Sequence, residues 1–258
     1  MKVGSLFSGI GGIDLGLEHA GMTIAWQCEK DAWCRKLLTK HWPEVPKYED
    51  VQTLDAATVE PVGLLAGGFP CQDLSTAGKR AGLKKGTRSG LWSDCIRLVG
   101  ELRPKYAIFE NVADLLSGPR ERPGGWFSRV LCDLAGSGYD AEWRNIPAWW
   151  LGRATKRERV WIVAYPQQER RARVLPTIPS ERGFEIDAQT QAATALAASR
   201  RLDSIVRGEL DGEPAFLGEP DGVPNVVDRL GACGNAVVPQ IPEMIGNAIL
   251  QAEIANDP

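Results

Sequence analysis

Short apolar runs alternate with helical patterns along this chain. Runs typical of buried strands lie at Val3–Phe7, Met22–Gln27, Leu64–Ala66, Tyr106–Phe109 and Val160–Ala164. Apolar residues recurring every three or four positions predict helices over residues 13–20, 31–41, 91–102, 127–138 and 241–254. Because strands that alternate with helices build a parallel sheet covered on both faces, the pattern predicts a doubly wound α/β fold.

Two stretches depart from this alternation. Trp143–Trp150 is predicted to be an edge strand, because Pro147 interrupts it. All nine tryptophans lie at or before Trp161, and residues 165–229 are instead rich in Arg, Gln, Glu, Pro and Gly, with one predicted helix around 188–200. We therefore predict an α/β domain at 1–164, a small region at 165–229, and a loop and helix at 230–258 that return to the first domain.

Composition narrows the class of protein. The 258 residues are 43% apolar, but no run of about 18 apolar residues suggests a membrane span. The first residues, MKVGSLFSG, carry glycines where a signal peptide needs an apolar segment. We expect a soluble, cytoplasmic protein that does not contact a membrane.

Cysteine and histidine usage limits the available chemistry. The six cysteines are scattered without the spacing of a metal site, which favours reduced thiols over disulfides or zinc. Only two histidines occur, His19 and His41. Catalysis is therefore expected to use Cys, Glu, Asp and Arg, without a metal.

Positive charge is clustered, although the formal net charge is -3. Basic residues crowd one segment, and they are Lys79, Arg80, Lys84, Lys85 and Arg88. A second cluster extends from Arg153 to Arg173. Local clusters matter more for phosphate binding than total charge, although a solvated surface is the alternative explanation for each.

A glycine loop joins the first predicted strand to the first helix. The sequence FSGIGG, Phe7–Gly12, lets a ligand approach the backbone at a helix N-terminus, as in nucleotide-binding α/β units. Glu29 closes the second strand, where a carboxylate can accept hydrogen bonds from ribose hydroxyls. A surface glutamate before a helix is the alternative interpretation of Glu29.

Cys71 follows another predicted strand, within LLAGGFPCQDLSTAG. Gly67 and Gly68 allow a tight turn, and Pro70 fixes the backbone before the thiol. These features favour a nucleophilic cysteine, and a small buried hydrophobe is the alternative.

Further polar residues are predicted at strand ends. Glu110 and Asn111 are expected to follow a strand, where sites in parallel sheets lie, although a capping carboxylate is the alternative. Arg157 and Arg159 are predicted to share one face of a strand.

Taken in this order, the motifs resemble those of the DNA cytosine 5-methyltransferase family. The resemblance covers Val3–Ala164 and the chain from Arg229 onward. It is carried by FSGIGG (7–12), Glu29, Asp50, GGFPCQ (67–72), RSGLW (88–92), ENV (110–112), RER (157–159) and GNAVVPQ (234–240). It implies a Rossmann-like methyltransferase sheet that binds S-adenosylmethionine (AdoMet), with a reduced target-recognition region at 165–229.

The resemblance also implies roles for individual residues. The implied catalytic residues are Cys71, Glu110, Arg157 and Arg159. The implied cofactor-binding residues are Phe7, Ser8, Gly9, Gly11, Gly12, Glu29, Asp50, Phe69, Pro70, Leu91, Asn235 and Val237. The implied DNA-binding residues are Gln72, Ser75, Lys79, Arg80, Lys84, Lys85 and Arg88.

The implied activity is methylation of cytosine in double-stranded DNA through a Cys71 adduct with a flipped-out base. A monomer is expected, with a restriction endonuclease of the same site as a partner. Thr155 stands where the family usually has Gln, and no copy of the family's arginine- and leucine-rich motif precedes the final loop. A tRNA cytosine methyltransferase and an inactive AdoMet- or DNA-binding module are the alternatives. A nicotinamide dehydrogenase is disfavoured because the loop lacks the GxGxxG spacing.

Overall fold

A computed structural model describes residues 1–70, 91–118, 124–151, 157–167, 174–175 and 237–256. The chain divides into two compact units. The first comprises 1–146, 158–176 and 235–258, and the second comprises 147–157 and 177–234. The sheet, except for Pro147, and the site residues discussed below, except for Arg157, belong to the first unit.

Within the described residues, seven strands form one sheet in the order β3-β2-β1-β4-β5-β7-β6. The strands are β1 (Lys2–Leu6), β2 (Thr23–Cys28), β3 (Lys47–Tyr48), β4 (Leu64–Gly68), β5 (Tyr106–Val112), β6 (Tyr139–Pro147) and β7 (Glu158–Pro166). The pairings among β1 to β5 are parallel, whereas β7 runs antiparallel to β5. The carboxyl ends of β1, β2 and β4 therefore lie at one edge of the sheet, where ligands bind in open α/β folds.

Five α-helices lie in the described part of the chain. They are α1 (Gly12–His19), α2 (Ala32–His41), α3 (Trp92–Leu102), α4 (Gly125–Gly136) and α5 (Gln240–Asn256). Short 3-10 helices follow β5 at Ala113–Leu116 and β6 at Ala148–Leu151. None of the described helices is both long and apolar enough to cross a membrane.

Both faces of the central sheet are buried. On one face, residues such as Leu65, Phe109 and Ile162 join a core cluster with side chains from α3 and α4. Their neighbours on the other face, such as Leu64 and Ile108, are equally inaccessible. This two-sided burial explains why the strands are nearly continuous apolar runs.

The α/β class and the predicted helices are confirmed, with small shifts at their ends. Asp31 caps α2 by accepting from Cys34 N at 2.8 Å. Arg103 ends α3 in a left-handed conformation (φ 49°), directly before Pro104. The predicted helix at 188–200 lies outside the described residues.

Three predictions about β4, β5 and β6 were wrong. Glu110 and Asn111 lie inside β5 rather than after it, because the strand continues through its pairing with β7. The predicted edge strand ends at Pro147, and Trp150 belongs to a 3-10 helix. The third concerns Gly67 and Gly68, which form strand rather than a turn.

Close packing, not a turn, explains this glycine pair. An ideal Cβ on Gly67 would lie 2.5 Å from the carbonyl oxygen of Leu6 on β1. A Cβ on Gly68 would lie 2.9 Å from Glu110 Oε2 on β5. The pair therefore lets β4 pass close to both neighbouring strands.

Candidate active site

The glycine loop between β1 and α1 has the backbone conformation that its sequence requires. Phe7, Gly9 and Gly11 have φ of 51°, 56° and 86°, values that glycine adopts readily and phenylalanine rarely does. The loop is held by two backbone hydrogen bonds. Ser8 N donates to Cys28 O at 3.2 Å, and Gly11 N donates to Ser8 O at 2.8 Å.

Glu29 anchors this loop to the start of α2. One carboxylate oxygen, Oε2, accepts from Gly9 N at 2.7 Å, and the other, Oε1, accepts from Asp31 N at 2.8 Å. The carboxylate thus orders the backbone around the carboxyl ends of β1 and β2. Its position agrees with the predicted acid at the end of the second strand.

Asp50 lies two residues after β3, on the same side of the sheet edge. Gln52 N donates to Asp50 Oδ1 at 3.0 Å, and Lys30 Nζ lies 3.2 Å from Oδ2. The backbone donor of Gln52, followed by Lys30, lowers the pKa of Asp50 despite some desolvation. Asp50 is therefore an ionised acceptor near Glu29.

A buried polar cluster lies beneath the glycine loop. The Asp14 carboxylate accepts from Ser5 Oγ at 3.1 Å and from Gln27 Nε2 at 2.8 Å. Ser8 Oγ donates to Ser5 Oγ at 2.9 Å. Asp14 and Gln27 are 0% exposed. Burial raises the pKa of Asp14 to about 6.

Sequence reasoning missed this cluster. A polar residue within a helical pattern is usually assigned to the solvent face. Two signals were available: Asp14 lies three residues before Leu17, on the buried stripe of α1, and Gln27 interrupts a strand that is otherwise buried on both faces.

The loop leading into α5 packs directly on the start of α1. An ideal Cβ on Gly12 would lie 2.8 Å from the carbonyl oxygen of Val237, so only glycine allows this approach. The predicted site residue Val237 therefore lies beside the glycine loop. Its predicted partner Asn235 lies outside the described residues.

Phe69 and Pro70 follow β4. Phe69 is buried in an aromatic cluster, with ring centroids 4.8 Å from Trp92 and 6.4 Å from Phe109. The carbonyl of Phe69 accepts from Asn111 Nδ2 at 3.1 Å. Pro70 is half-buried at the last described position before the predicted nucleophile. Asn111 and the aromatic cluster thus fix the backbone that leads to residue 71.

Leu91 lies at the N-cap position of α3 and is partly buried against the core cluster. Its exposed fraction leaves part of the side chain accessible for contact with a ligand.

Glu110 and Arg159 form an ion pair across β5 and β7. Arg159 pairs with Val112 in the antiparallel ladder and Glu110 pairs with Trp161, so both side chains lie on one face of the sheet. Arg159 Nε lies 2.7 Å from Glu110 Oε1, and the two side chains are only 20% and 10% exposed. The sequence predicted both residues, and the structure brings them together.

Arg157 departs from its prediction. It precedes β7, which begins at Glu158, so it does not share a strand face with Arg159. It belongs to the second unit, where its carbonyl accepts from Ala148 N at 2.8 Å. Arg157 and Arg159 would share a face only if both lay in the same strand, and β7 begins one residue after Arg157.

Several predicted site residues lie outside the described residues. They are Cys71, Gln72, Ser75, Lys79, Arg80, Lys84, Lys85, Arg88 and Asn235. Thr155 also lies there.

The thiols close to the described site are poor nucleophiles. Cys28, at the end of β2, is buried, and burial followed by the neighbouring Glu29 raises its pKa to about 12. Burial also raises the pKa of Cys95 on α3. Because the thiolate is the reactive form, neither is suited to nucleophilic attack near neutral pH.

The sheet order, the glycine loop and the acid after β2 together define a Rossmann-like α/β methyltransferase fold. A solved structure of the same fold is described as a DNA modification methyltransferase encoded within a prophage of E. coli, with a TM-score of 0.64 and 19% identity, covering 98% of this chain and 99% of that one. The chain belongs to the C-5 cytosine-specific DNA methylase family, whose model matches residues 1–207.

Two relatives show the extent of the likeness. The Type II methyltransferase M2.BsuMI of Bacillus subtilis is 38% identical over 168 residues, covering 64% of this chain and 42% of the relative. The Type II methyltransferase M.Eco47II of Escherichia coli is 39% identical over 162 residues, covering 62% of this chain and 38% of the relative. The match thus spans less than half the length of either relative.

Proposed function

We propose that this protein methylates carbon 5 of cytosine in double-stranded DNA, with AdoMet as the methyl donor. Family membership supports the reaction class. The buried Glu110–Arg159 pair is the observation that carries the proposal, since it offers a carboxyl group and a guanidinium on one sheet face at 2.7 Å. Charged side chains are rarely buried unless they are paired or have a chemical role, and this pair lies on the same sheet face as the proposed base-binding site.

The residues around the glycine loop fit the proposed cofactor. Gly9, Gly11 and Gly12 keep the loop free of side chains, and the carboxylates of Glu29 and Asp50 are ordered acceptors for hydroxyl and amino groups. Phe7, Ser8, Phe69, Pro70, Leu91, Asn235 and Val237 complete the proposed cofactor-binding set. When bound, AdoMet supplies an electrophilic methyl group on a sulfonium.

Glu110 and Arg159 are proposed to hold the target base. Cytosine presents N3 and the exocyclic amine on one edge, beside the carbonyl oxygen at carbon 2. A carboxyl group at Glu110 can hydrogen-bond at N3, and the Arg159 guanidinium can donate to the carbonyl oxygen. The two groups lie 2.7 Å apart on one sheet face, and this closeness supports the proposal that one base edge contacts both.

Cys71 is the proposed nucleophile, following the backbone that Asn111 and Pro70 fix. Its thiolate would form a bond to carbon 6 of the base, which makes carbon 5 nucleophilic enough to take the methyl group. Transfer of the proton at carbon 5 to water then restores the ring double bond and breaks the carbon–sulfur bond. The thiolate is regenerated, the donor would be left as a neutral thioether, and the released proton carries the positive charge that the sulfonium loses.

The ring atoms are inaccessible inside a duplex, so we propose that the base is flipped out, at a cost of a few kcal/mol. Gln72, Ser75, Lys79, Arg80, Lys84, Lys85 and Arg88 are proposed to contact the DNA. Arg157 is proposed to support the catalytic loop. We further propose that the protein acts as a monomer in a bacterial or phage-infected cytoplasm, alongside a restriction endonuclease of the same site.

Replacement of the proposed nucleophile tests the mechanism. We expect Cys71→Ser to abolish methyl incorporation into duplex DNA while leaving AdoMet affinity within about twofold, because a neutral hydroxyl is a much weaker nucleophile than a thiolate. Tritiated methyl transfer measures the first quantity and calorimetry the second. Cys132→Ser, which changes an exposed cysteine on α4, is the matched control and should retain full activity.

The same assay separates the competing functions. Appreciable turnover by Cys71→Ser would remove this residue from the mechanism. Wild-type methyl transfer to tRNA but not to duplex DNA would favour the tRNA alternative, and AdoMet binding without transfer to either would indicate an inactive binding module.

A further inference from the structure

The Asp14 carboxylate forms no ion pair among the described residues. Its charge is met by hydrogen bonds from Gln27, Ser5 and its own backbone, and Lys47 interacts with it electrostatically without forming an ion pair. The Lys47 ammonium donates its hydrogen bonds to the carbonyls of Trp42 and Val45 rather than to Asp14. A fully buried carboxylate without a direct ion pair is costly, so its presence beneath the glycine loop calls for a reason.

The bonding pattern of Asp14 fixes the hydroxyl protons above it. An ionised carboxylate only accepts hydrogen bonds, so the Ser5 hydroxyl donates to Asp14. The oxygen of Ser5 is then free to accept the proton of Ser8, at 2.9 Å. Because Ser8 donates its proton to Ser5, its oxygen keeps its lone pairs as acceptors. The hydrogen-bonded series Ser8–Ser5–Asp14 is thereby polarised to favour a positive charge at the glycine loop.

The position of Asp14 in α1 strengthens this effect. The N-terminus of a helix carries a partial positive charge and normally favours anions. Asp14 lies in the first turn of α1, just behind the glycine loop, and its charge opposes that of the helix end. A loop that would otherwise suit an anion can therefore accept a cation.

We propose that Asp14 is a specificity-determining residue that favours the positively charged sulfonium of the methyl donor over the neutral thioether left after transfer. Asp14 does this through its charge and through the hydroxyls of Ser5 and Ser8, without touching the ligand. The inference rests on the proposed function, since it takes AdoMet as the ligand of the glycine loop. Its consequence is that the spent donor, S-adenosylhomocysteine, leaves more readily.

Calorimetric titration of the full chain with both ligands tests the proposal. We expect Asp14→Asn to weaken AdoMet binding about five- to twentyfold, because the variant removes the attraction between the carboxylate and the sulfonium charge. S-Adenosylhomocysteine binding should change less than about twofold, because the thioether is neutral. Asp140→Asn, on an exposed position of β6, is the matched control and should change neither.

The outcomes are distinct. Equal weakening of both ligands by Asp14→Asn would overturn the proposal and leave Asp14 a purely structural residue. Failure of the wild-type protein to bind either ligand would instead overturn the proposed function. A change confined to AdoMet supports both.

A pH titration of the wild-type protein gives a second test that needs no folded variant. The ratio of the two affinities should fall as the pH drops through about 6, where Asp14 takes up a proton. Both ligands carry the same amino acid group, so its ionisation cancels in the ratio. A ratio that is constant from pH 7.5 to pH 5 would overturn the proposal.

Other charged groups near Asp14 must be separated from this effect. They are Glu18 and His19 on α1, Glu29 after β2, Lys47 on β3, and Glu243 on α5, which pairs with His19 at 3.7 Å. A His19→Gln variant removes the histidine of the same helix. It should keep the wild-type pH dependence of the affinity ratio, and loss of that dependence would assign the effect to His19 and contradict the proposal.

Discussion

Two arginine–carboxylate pairs in this protein have the same length and different surroundings. Arg159 Nε lies 2.7 Å from Glu110 Oε1 in the candidate site, and Arg129 Nε lies 2.7 Å from Asp133 Oδ1 on the surface of α4. The side chain of Arg159 is 20% exposed and that of Arg129 is 67% exposed. In the buried pair, the N–H donors of the guanidinium are held in a fixed arrangement. In the exposed pair, water and salt screen the charges and the side chains are mobile.

Replacement of Arg159 by Lys tests whether the shape of the guanidinium matters. Lysine keeps the charge but loses the planar set of donors, so we expect Arg159→Lys to lower kcat about a hundredfold with a smaller effect on AdoMet affinity. Steady-state methylation kinetics and calorimetry measure the two quantities. Arg129→Lys makes the same change in the exposed pair and should leave kcat unchanged. A loss of less than about twofold for Arg159→Lys would show that charge alone suffices.

At the level of single residues, the sequence predicts acids and bases that stand next to apolar strands. Glu110, Arg159 and Glu29 were found in this way. Asp14 was not found, because it lies on α1 and its hydrogen-bond partners lie on β1 and β2. The sequence pattern alone does not show which face of α1 packs against these strands. Arg157 was misplaced because the start of β7 depends on its pairing with β5.

At the level of elements, α1 and α5 pack closely through small residues. An ideal Cβ on Gly16 would lie 2.2 Å from the carbonyl oxygen of Pro239 and 2.9 Å from Glu243 N. One on Gly246 would lie 2.8 Å from Ala20 Cβ. The final helix is thereby fixed against the helix that carries the glycine loop.

A glycine-to-alanine comparison between two helices tests this packing. In a helix, alanine is favoured over glycine by about 1 kcal/mol when nothing obstructs its methyl group. At Gly16 the backbone of 239–243 obstructs it, and we expect Gly16→Ala to lower the free energy of unfolding by about 1–2 kcal/mol. At Gly100 on α3, no described atom outside the helix's own backbone and the chain neighbours lies within 4 Å of an ideal Cβ, so Gly100→Ala should raise the free energy of unfolding by up to about 1 kcal/mol.

Urea unfolding followed by circular dichroism measures both differences. Stabilisation of similar size by the two variants would show that the start of α5 does not press on Gly16. The experiment therefore isolates packing between elements from the propensity of the helices themselves.

The existence and order of these elements followed from hydrophobic periodicity, while their directions and neighbours did not. Alternation of strands and helices predicts parallel pairing, yet β7 is antiparallel to β5 and adjacent to it. An apolar run such as Val160–Ala164 reads identically in either direction. Likewise, Gly67 looks like a turn residue until the neighbouring Leu6 carbonyl is known.

At the level of the whole molecule, Asp14 couples folding to pH. Desolvation raises the pKa of this carboxyl from 3.8 to about 6, against hydrogen bonds from Gln27 and Ser5 that lower it. The folded protein therefore holds a proton that the unfolded chain releases between these pH values. The contribution of Asp14 to stability therefore falls as the pH rises through this window and levels off above it.

The size of this effect can be measured as a difference between two proteins. A pKa raised from 3.8 to about 6 corresponds to a loss of about 3 kcal/mol at neutral pH, of which about 1 kcal/mol falls between pH 5 and pH 7.5. Asp14→Asn has no proton to lose, and its amide can donate to Gln27 Oε1, a buried acceptor without a partner in the described structure. We expect the variant to gain stability relative to wild type as the pH rises, by about 1 kcal/mol over that range. Urea unfolding of both proteins at each pH cancels the other titrating groups, and a difference that is independent of pH would contradict the buried ionisation of Asp14.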